Sequence, residues 1–236
     1  MNVKQINSLI RNDDLYVTKV LENVSGRKVL RVLCEDGKQL IVKIWPYYPL
    51  RFIKPSLHRS WWVNYREKCA FPFNEENVNH FVKKKLNVVT PEIYFFRRVF
   101  PLRSLKFGYV MIQEDLSTRG YNSFDLILEK LVEDRAYEAA SKLVSKIAEN
   151  LEQLFDLNLF NLDFNLGSYM FDENDDLAMI DFENYTFHHG LEDGCIIRDF
   201  ILSRFERKCI RVTKRDQKFI SILDAIIRLR YKYIQK

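Results

Sequence analysis

Asn161-Leu-Asp-Phe-Asn-Leu-Gly-Ser168-Tyr-Met-Phe171 and, after a short acidic turn, Leu177-Ala-Met-Ile-Asp181-Phe-Glu183 decide how this chain is read. Two aspartates, Asp163 and Asp181, stand eighteen positions apart. The first falls in a loop, and the apolar runs on either side of the acidic turn predict a hairpin that goes out and back. The second follows Leu-Ala-Met-Ile directly. A carboxylate at the end of so apolar a strand is expensive to bury unless a cation or a hydrogen-bond donor meets it.

Upstream, Ala136, Ala139, Ala140, Leu143, Val144, Ile147, Ala148, Leu151, Leu154 and Phe155 recur at three and four, predicting a long helix that ends just before the Asp163 loop. Further helices fit residues 194 to 208 and 213 to 233. Toward the N-terminus, residues 15 to 45 predict a three-strand meander: Leu15 to Leu21, Lys28 to Leu33 and Gln39 to Trp45, with Asp36-Gly37 as a hairpin turn and Pro46 and Pro49 closing it. Residues 74 to 86 predict a helix capped by Asn74 and ended by Thr90-Pro91, with Val78, Phe81, Val82 and Leu86 near one face. Strands follow at Glu92 to Phe96 and Phe107 to Gln113, leading into Glu114-Asp115.

The Asp163 to Glu183 stretch resembles the protein-kinase-like superfamily, in particular its bacterial branch of lipopolysaccharide core kinases, which phosphorylate Kdo or heptose hydroxyls. Members of that branch run roughly His-Arg-Asp-Phe-Asn-x-Gly-Asn-Tyr-Leu-Phe and then Ile-Asp-Phe-Glu or Ile-Asp-Leu. Asn161 stands where the histidine usually is, and Ser168 where the metal-binding asparagine usually is. The resemblance spans roughly residues 15 to 205. It implies an α+β, bilobal kinase-like fold in one domain, with a β-rich N-lobe over about residues 1–115, a helical C-lobe over about 116–236 and ATP in the cleft.

It also implies roles. Asp163 accepts or orients the proton of an attacking hydroxyl, and Asp181 reaches Mg²⁺. Ser168 or Asn165 supplies a further metal contact. Lys43, on the third strand, reaches the nucleotide phosphates, held by a helix carboxylate for which Glu76 is the first candidate and Glu75 and Glu67 compete. Ser25 and Gly26 fall in the phosphate-covering loop, although the usual glycine-rich signature is absent. Glu114 marks the nucleotide-side passage between lobes, and Asp199 supports the Asp163 loop by a hydrogen bond from below.

Composition sets the partners. The chain has 236 residues, 47% of them apolar, which suffices for one substantial core or two small lobes and excludes disorder. No apolar run is long enough to cross a membrane and Met1-Asn-Val-Lys-Gln-Ile-Asn lacks a signal peptide's core, so a cytoplasmic protein is expected. Cys34, Cys69, Cys195 and Cys209 and the four histidines show no metal or disulfide spacing; buried free thiols are the simplest reading. The net charge of +5 is uneven, because Arg204 to Lys236 carries eleven basic residues against three acidic ones. From Trp45 to Lys68, aromatic residues including Trp61 and Trp62 alternate with cations, a composition that suits a phosphorylated saccharide, a membrane interface or single-stranded nucleic acid and equally fits ordinary lobe packing. The expected partner is an anionic glycolipid, the lipopolysaccharide core, with peripheral contact at the inner face of the inner membrane and no nucleic acid. A kinase for another small molecule or a protein serine, and a pseudokinase acting as scaffold or regulator, are the alternative readings.

Overall fold

A computed structural model describes residues 17–24, 27–34, 36–47, 75–99, 107–161, 163–187, 191–213 and 221–234. The fold is mixed α+β, with an antiparallel sheet in the N-terminal region and helices in the C-terminal region. The chain divides into two compact units: one runs through Glu76 and includes Pro91–Arg119, the other comprises Asn77–Thr90 and everything from Gly120 onward. The expected division near residue 115 had counted 77–90 with the N-terminal part; in the structure that segment groups with the second unit.

The first unit is a five-stranded antiparallel sheet of β1 (Val17–Val24), β2 (Arg27–Leu33), β3 (Gln39–Tyr47), β4 (Ile93–Val99) and β5 (Phe107–Glu114), in the order β1-β2-β3-β5-β4. Gly37 turns the chain between β2 and β3 at φ +79°, where a side chain would be strained. Pro46 does not close β3. It pairs with Gly108 inside the ladder, which continues to Tyr47. Because strand residues alternate, Leu40 and Val42 pack with Leu30, Val32, Val110 and Ile112 on one face of the sheet. Ile41, Lys43 and Trp45 turn to the other face, where Val29 and Met111 are their ladder neighbours. Those residues are buried as well, so the central strand is covered on both sides.

The second unit starts with a helix over 75–85, α1, whose first two residues belong to the first unit. Thr90 ties back to it, its hydroxyl donating to Asn79 Oδ1 at 3.2 Å. Then come β6 (Asn122–Ser123), α2 (Phe124–Glu133), α3 (Tyr137–Asp156), β7 (Leu159–Asn161), β8 (Tyr169–Phe171), β9 (Leu177–Met179), β10 (Tyr185–Phe187), α4 (Leu191–Val212) and α5 (Asp224–Ile234). The long helix predicted before the loop is α3, and its buried stripe, Leu143, Val144, Ile147, Leu151, Leu154 and Phe155, forms the centre of the core. The predicted hairpin is β8–β9, to which β6 adds a third strand. Of the C-terminal helices, α4 runs longer than 194 to 208, and within the expected 213 to 233 the described residues give a 3₁₀ turn over 221–223 and α5 from Asp224, residues 214–220 lying outside those described. No helix among the described residues is long and apolar enough to cross a membrane.

Candidate functional site

The site residues fall into one group on each unit. On the first, Lys43 sits in the middle strand and is 2% exposed. Its ammonium donates to Glu75 Oε1 at 2.6 Å, and the Glu75 side chain is fully buried. This corrects the assignment to Glu76. Glu75, Val78, Asn79 and Val82 are all buried and recur at three and four, so they share the inward face of α1, whereas Glu76 lies one helical step, about 100°, away. On the same sheet face, Arg31 meets Asp115 at 2.5 Å, and Asp115 also accepts from the Ser117 amide and hydroxyl at 3.1 and 2.7 Å. Glu114, expected at the nucleotide, accepts from the Glu92 amide at 3.2 Å and lies 3.5 Å from Arg119. Ser25, Gly26, Glu67, Trp61 and Trp62 lie outside the described residues.

On the second unit the hairpin organises everything. Asn161, at the end of β7, is buried and accepts the Asp163 N–H at 2.9 Å, an Asx turn that sets the direction in which the loop leaves the strand. The residue that departs from the resembled motif therefore fixes the loop. Ser168 is buried; its N–H donates to the Asn165 carbonyl at 3.1 Å and its own carbonyl accepts from the Ile180 N–H at 2.9 Å. That last bond pairs Ser168 with Ile180, the residue before Asp181, at the mouth of the hairpin. At the far end, the turn from Asp172 to Asp176 is clamped by α3, with Lys142 on the Asp175 carboxylate at 2.6 Å and Lys146 on its carbonyl at 2.7 Å.

Asp181 has φ 61° and ψ 62°, a left-handed conformation that is uncommon outside glycine, though aspartate and asparagine tolerate it best. Such strain persists only where the surroundings hold it, and it gathers at functional positions. Asp163 is 62% exposed, and one of its oxygens accepts from Arg204 on α4 at 2.7 Å. Two residues on, Asn165 Oδ1 accepts from Lys208 at 2.9 Å. Asp199 does not support the loop; it faces the C-terminal helix and pairs with Arg230 at 3.1 Å.

Among the described residues, no three histidine, cysteine, aspartate or glutamate side chains gather around a common point. The candidate donors at the hairpin mouth are the carboxylate of Asp181 and the hydroxyl of Ser168, whose backbone pairs with Ile180. They fit Mg²⁺, which typically binds one or two carboxylates and completes its shell with phosphates and water. Asn165 fits it poorly, because its amide oxygen already holds an ammonium.

Arg204 and Lys208 were legible only as part of a basic tail. Their spacing with Arg211, at i, i+4 and i+7, was the signal that could have set them apart as one helix face. The sequence matches no protein-family model and no curated protein.

Proposed function

We propose that this chain is an ATP-dependent phosphotransferase acting on a sugar hydroxyl of an anionic glycolipid, with Kdo or heptose of the lipopolysaccharide inner core as acceptor. The observation that carries the reading is the Lys43–Glu75 pair, with exposures of 2% and 0% and a separation of 2.6 Å. A buried ion pair contributes little stability over apolar residues of the same volume, so its presence in the central strand calls for a task, and fixing a cation against nucleotide phosphates is one that requires this arrangement. The second support is chemical. Asp163 and Asp181 differ in environment, one largely in water and the other strained beside the hairpin, which suits two carboxylates with two roles.

In this reading Asp163 accepts the proton of the acceptor hydroxyl as its oxygen forms a bond to the γ-phosphorus. The bond from that phosphorus to the bridging oxygen breaks, and ADP leaves with the electron pair. Lys43 neutralises phosphate charge throughout. Asp181 and Ser168 would hold Mg²⁺, which supplies charge neutralisation on the phosphate oxygens when bound.

The test is transfer of label from [γ-³²P]ATP to purified lipopolysaccharide lacking inner-core phosphate. Transfer is expected from the parent, and Asp163→Asn should lower it by about 10²–10⁴-fold, the usual contribution of a positioned base. One observation favours a second reading, a nucleotide-responsive regulator without transfer: Arg204 already occupies an oxygen of Asp163. ATP binding without transfer to any acceptor would support that reading over the first.

A further inference from the structure

A groove of about 400 Å³ opens in the second unit between α2 and α4. It is lined by Asn165 and Leu166, which follow Asp163 in the loop, by the carboxylates Asp125, Glu129 and Glu133 of α2, and by Lys208 and Arg211 of α4. The volume lies within the range of small-molecule sites. Lys208 and Arg211 lie about one and about two turns of α4 on from Arg204, the residue that holds Asp163. The three cations thus form one row along α4, beginning at the proposed base and running into the groove.

We propose that this groove seats the acceptor, with Lys208 and Arg211 binding an anionic group, phosphate or carboxylate, carried by a sugar whose neighbouring hydroxyl is presented to Asp163. Like charges at this spacing on a helix oppose one another; Asp163 already meets Arg204, and an anion in the groove would meet Lys208 and Arg211. Burial and the adjacent Arg204 guanidinium hold the Lys208 pKa below the ordinary lysine value, Arg211 adding to the effect and Asp163 and Asp125 opposing it. Also lining the groove, Asp125 and Glu129 offer carboxylate oxygens that accept from sugar hydroxyls and repel a polyanion such as nucleic acid. This site rests on the phosphotransfer reading for its position beside Asp163.

The full-length protein is titrated with glucose, glucose 6-phosphate and glucuronate, followed by saturation-transfer NMR, and separately with Mg²⁺ and a non-hydrolysable ATP analogue. Glucose 6-phosphate, glucuronate or both should bind more tightly than glucose, and the better of the two identifies which anion the site takes. Lys208→Gln and Arg211→Gln should each weaken that ligand about tenfold, the scale of one lost charge-assisted hydrogen bond, and leave the ATP analogue unchanged. Arg211 is exposed, so its replacement tests the site without disturbing the core. Equal binding of glucose and both anionic sugars, or parental affinity in both variants, would overturn the proposal. So would variants that lose the ATP analogue and keep the sugar, since the cations would then serve the nucleotide. A parent that binds the anionic sugar in this groove but no nucleotide would retain the anion site and remove the phosphotransfer reading instead.

Discussion

Burying Lys43 against Glu75 takes two charges out of water, and at the scale of single residues that pair has the clearest consequences. Removing one partner leaves the other charged and buried, so Glu75→Ala should destabilise the protein by about 3–5 kcal/mol in urea unfolding. Glu76→Ala, one position along but on another helix face, should change stability by about 0.5 kcal/mol or less. Equal effects at the two positions would contradict the pairing. That Lys43 has a carboxylate partner on this helix was readable from the sequence, but which of two adjacent glutamates serves was not. The choice depends on the rotational phase of α1, and a neighbouring pair of identical residues carries no signal of phase.

The cysteines among the described residues divide by environment rather than all being buried, and Cys69 lies outside those residues. Cys195 is exposed, whereas Cys34 and Cys209 are buried. Burial, with the Glu206 carboxylate adding to it, pushes the Cys209 thiol from 9.0 up to about 12. Iodoacetamide at pH 8 should therefore label Cys195 in the native protein and leave Cys209 untouched until urea is added, as read by peptide mass spectrometry. Because the folded value lies above the unfolded one, the protonated thiol favours the native state fully below pH 9.0, and that contribution is lost as pH rises from there through about 12. Labelling of Cys209 at the rate of Cys195 would show that the α4 core is not closed.

Among the helices, α3 is the most legible in the sequence and α2 the least. The stripe of α3 is long, regular and apolar, and periodicity alone finds it. The short helix α2 gives a weak signal, because its ten residues mix Glu129, Lys130 and Glu133 with the apolar ones and only Phe124 and Leu128 are fully buried. What α4 does could not be read at all. Its contacts with the Asp163 loop join residues more than forty positions apart and depend on how the helix docks, which no local pattern encodes. On α3, Asn150 interrupts the apolar stripe: it is 3% exposed, and neither its oxygen nor its nitrogen has a hydrogen-bond partner among the described residues. Replacing it with an apolar side chain of similar size removes that desolvation penalty. Asn150→Leu should raise stability by about 1–3 kcal/mol in thermal unfolding, and a loss of stability would show that the amide is satisfied by water.

At the scale of the whole molecule, the basic C-terminal region is less available than its net charge implies. Arg204 is committed to Asp163, Arg230 to Asp199 and Glu206, and Lys232 to Glu152, so much of the tail's charge is matched within the second unit. Lys208 and Arg211 line the groove beside the loop. The β-rich beginning and helical end were legible because strand alternation and helix periodicity are local. The grouping of residues 77–90 with the second unit was not, because it rests on where Val78 and Val82 find their core.

The central claim is that the chain binds a nucleotide through Mg²⁺ at Asp181. Thermal unfolding with and without ATP, Mg²⁺ and both, for the parent and for Asp181→Asn, tests it most directly. Asparagine tolerates the left-handed backbone at position 181, so the variant removes the charge and not the fold. In the parent, ATP with Mg²⁺ at about a hundredfold excess over the dissociation constant should stabilise by about 2.7 kcal/mol. In Asp181→Asn the Mg²⁺-dependent part of that stabilisation should disappear while the unliganded melting temperature stays near the parent's. No shift in the parent at millimolar ATP and Mg²⁺, or an equal Mg²⁺-dependent shift in the variant, would contradict the account.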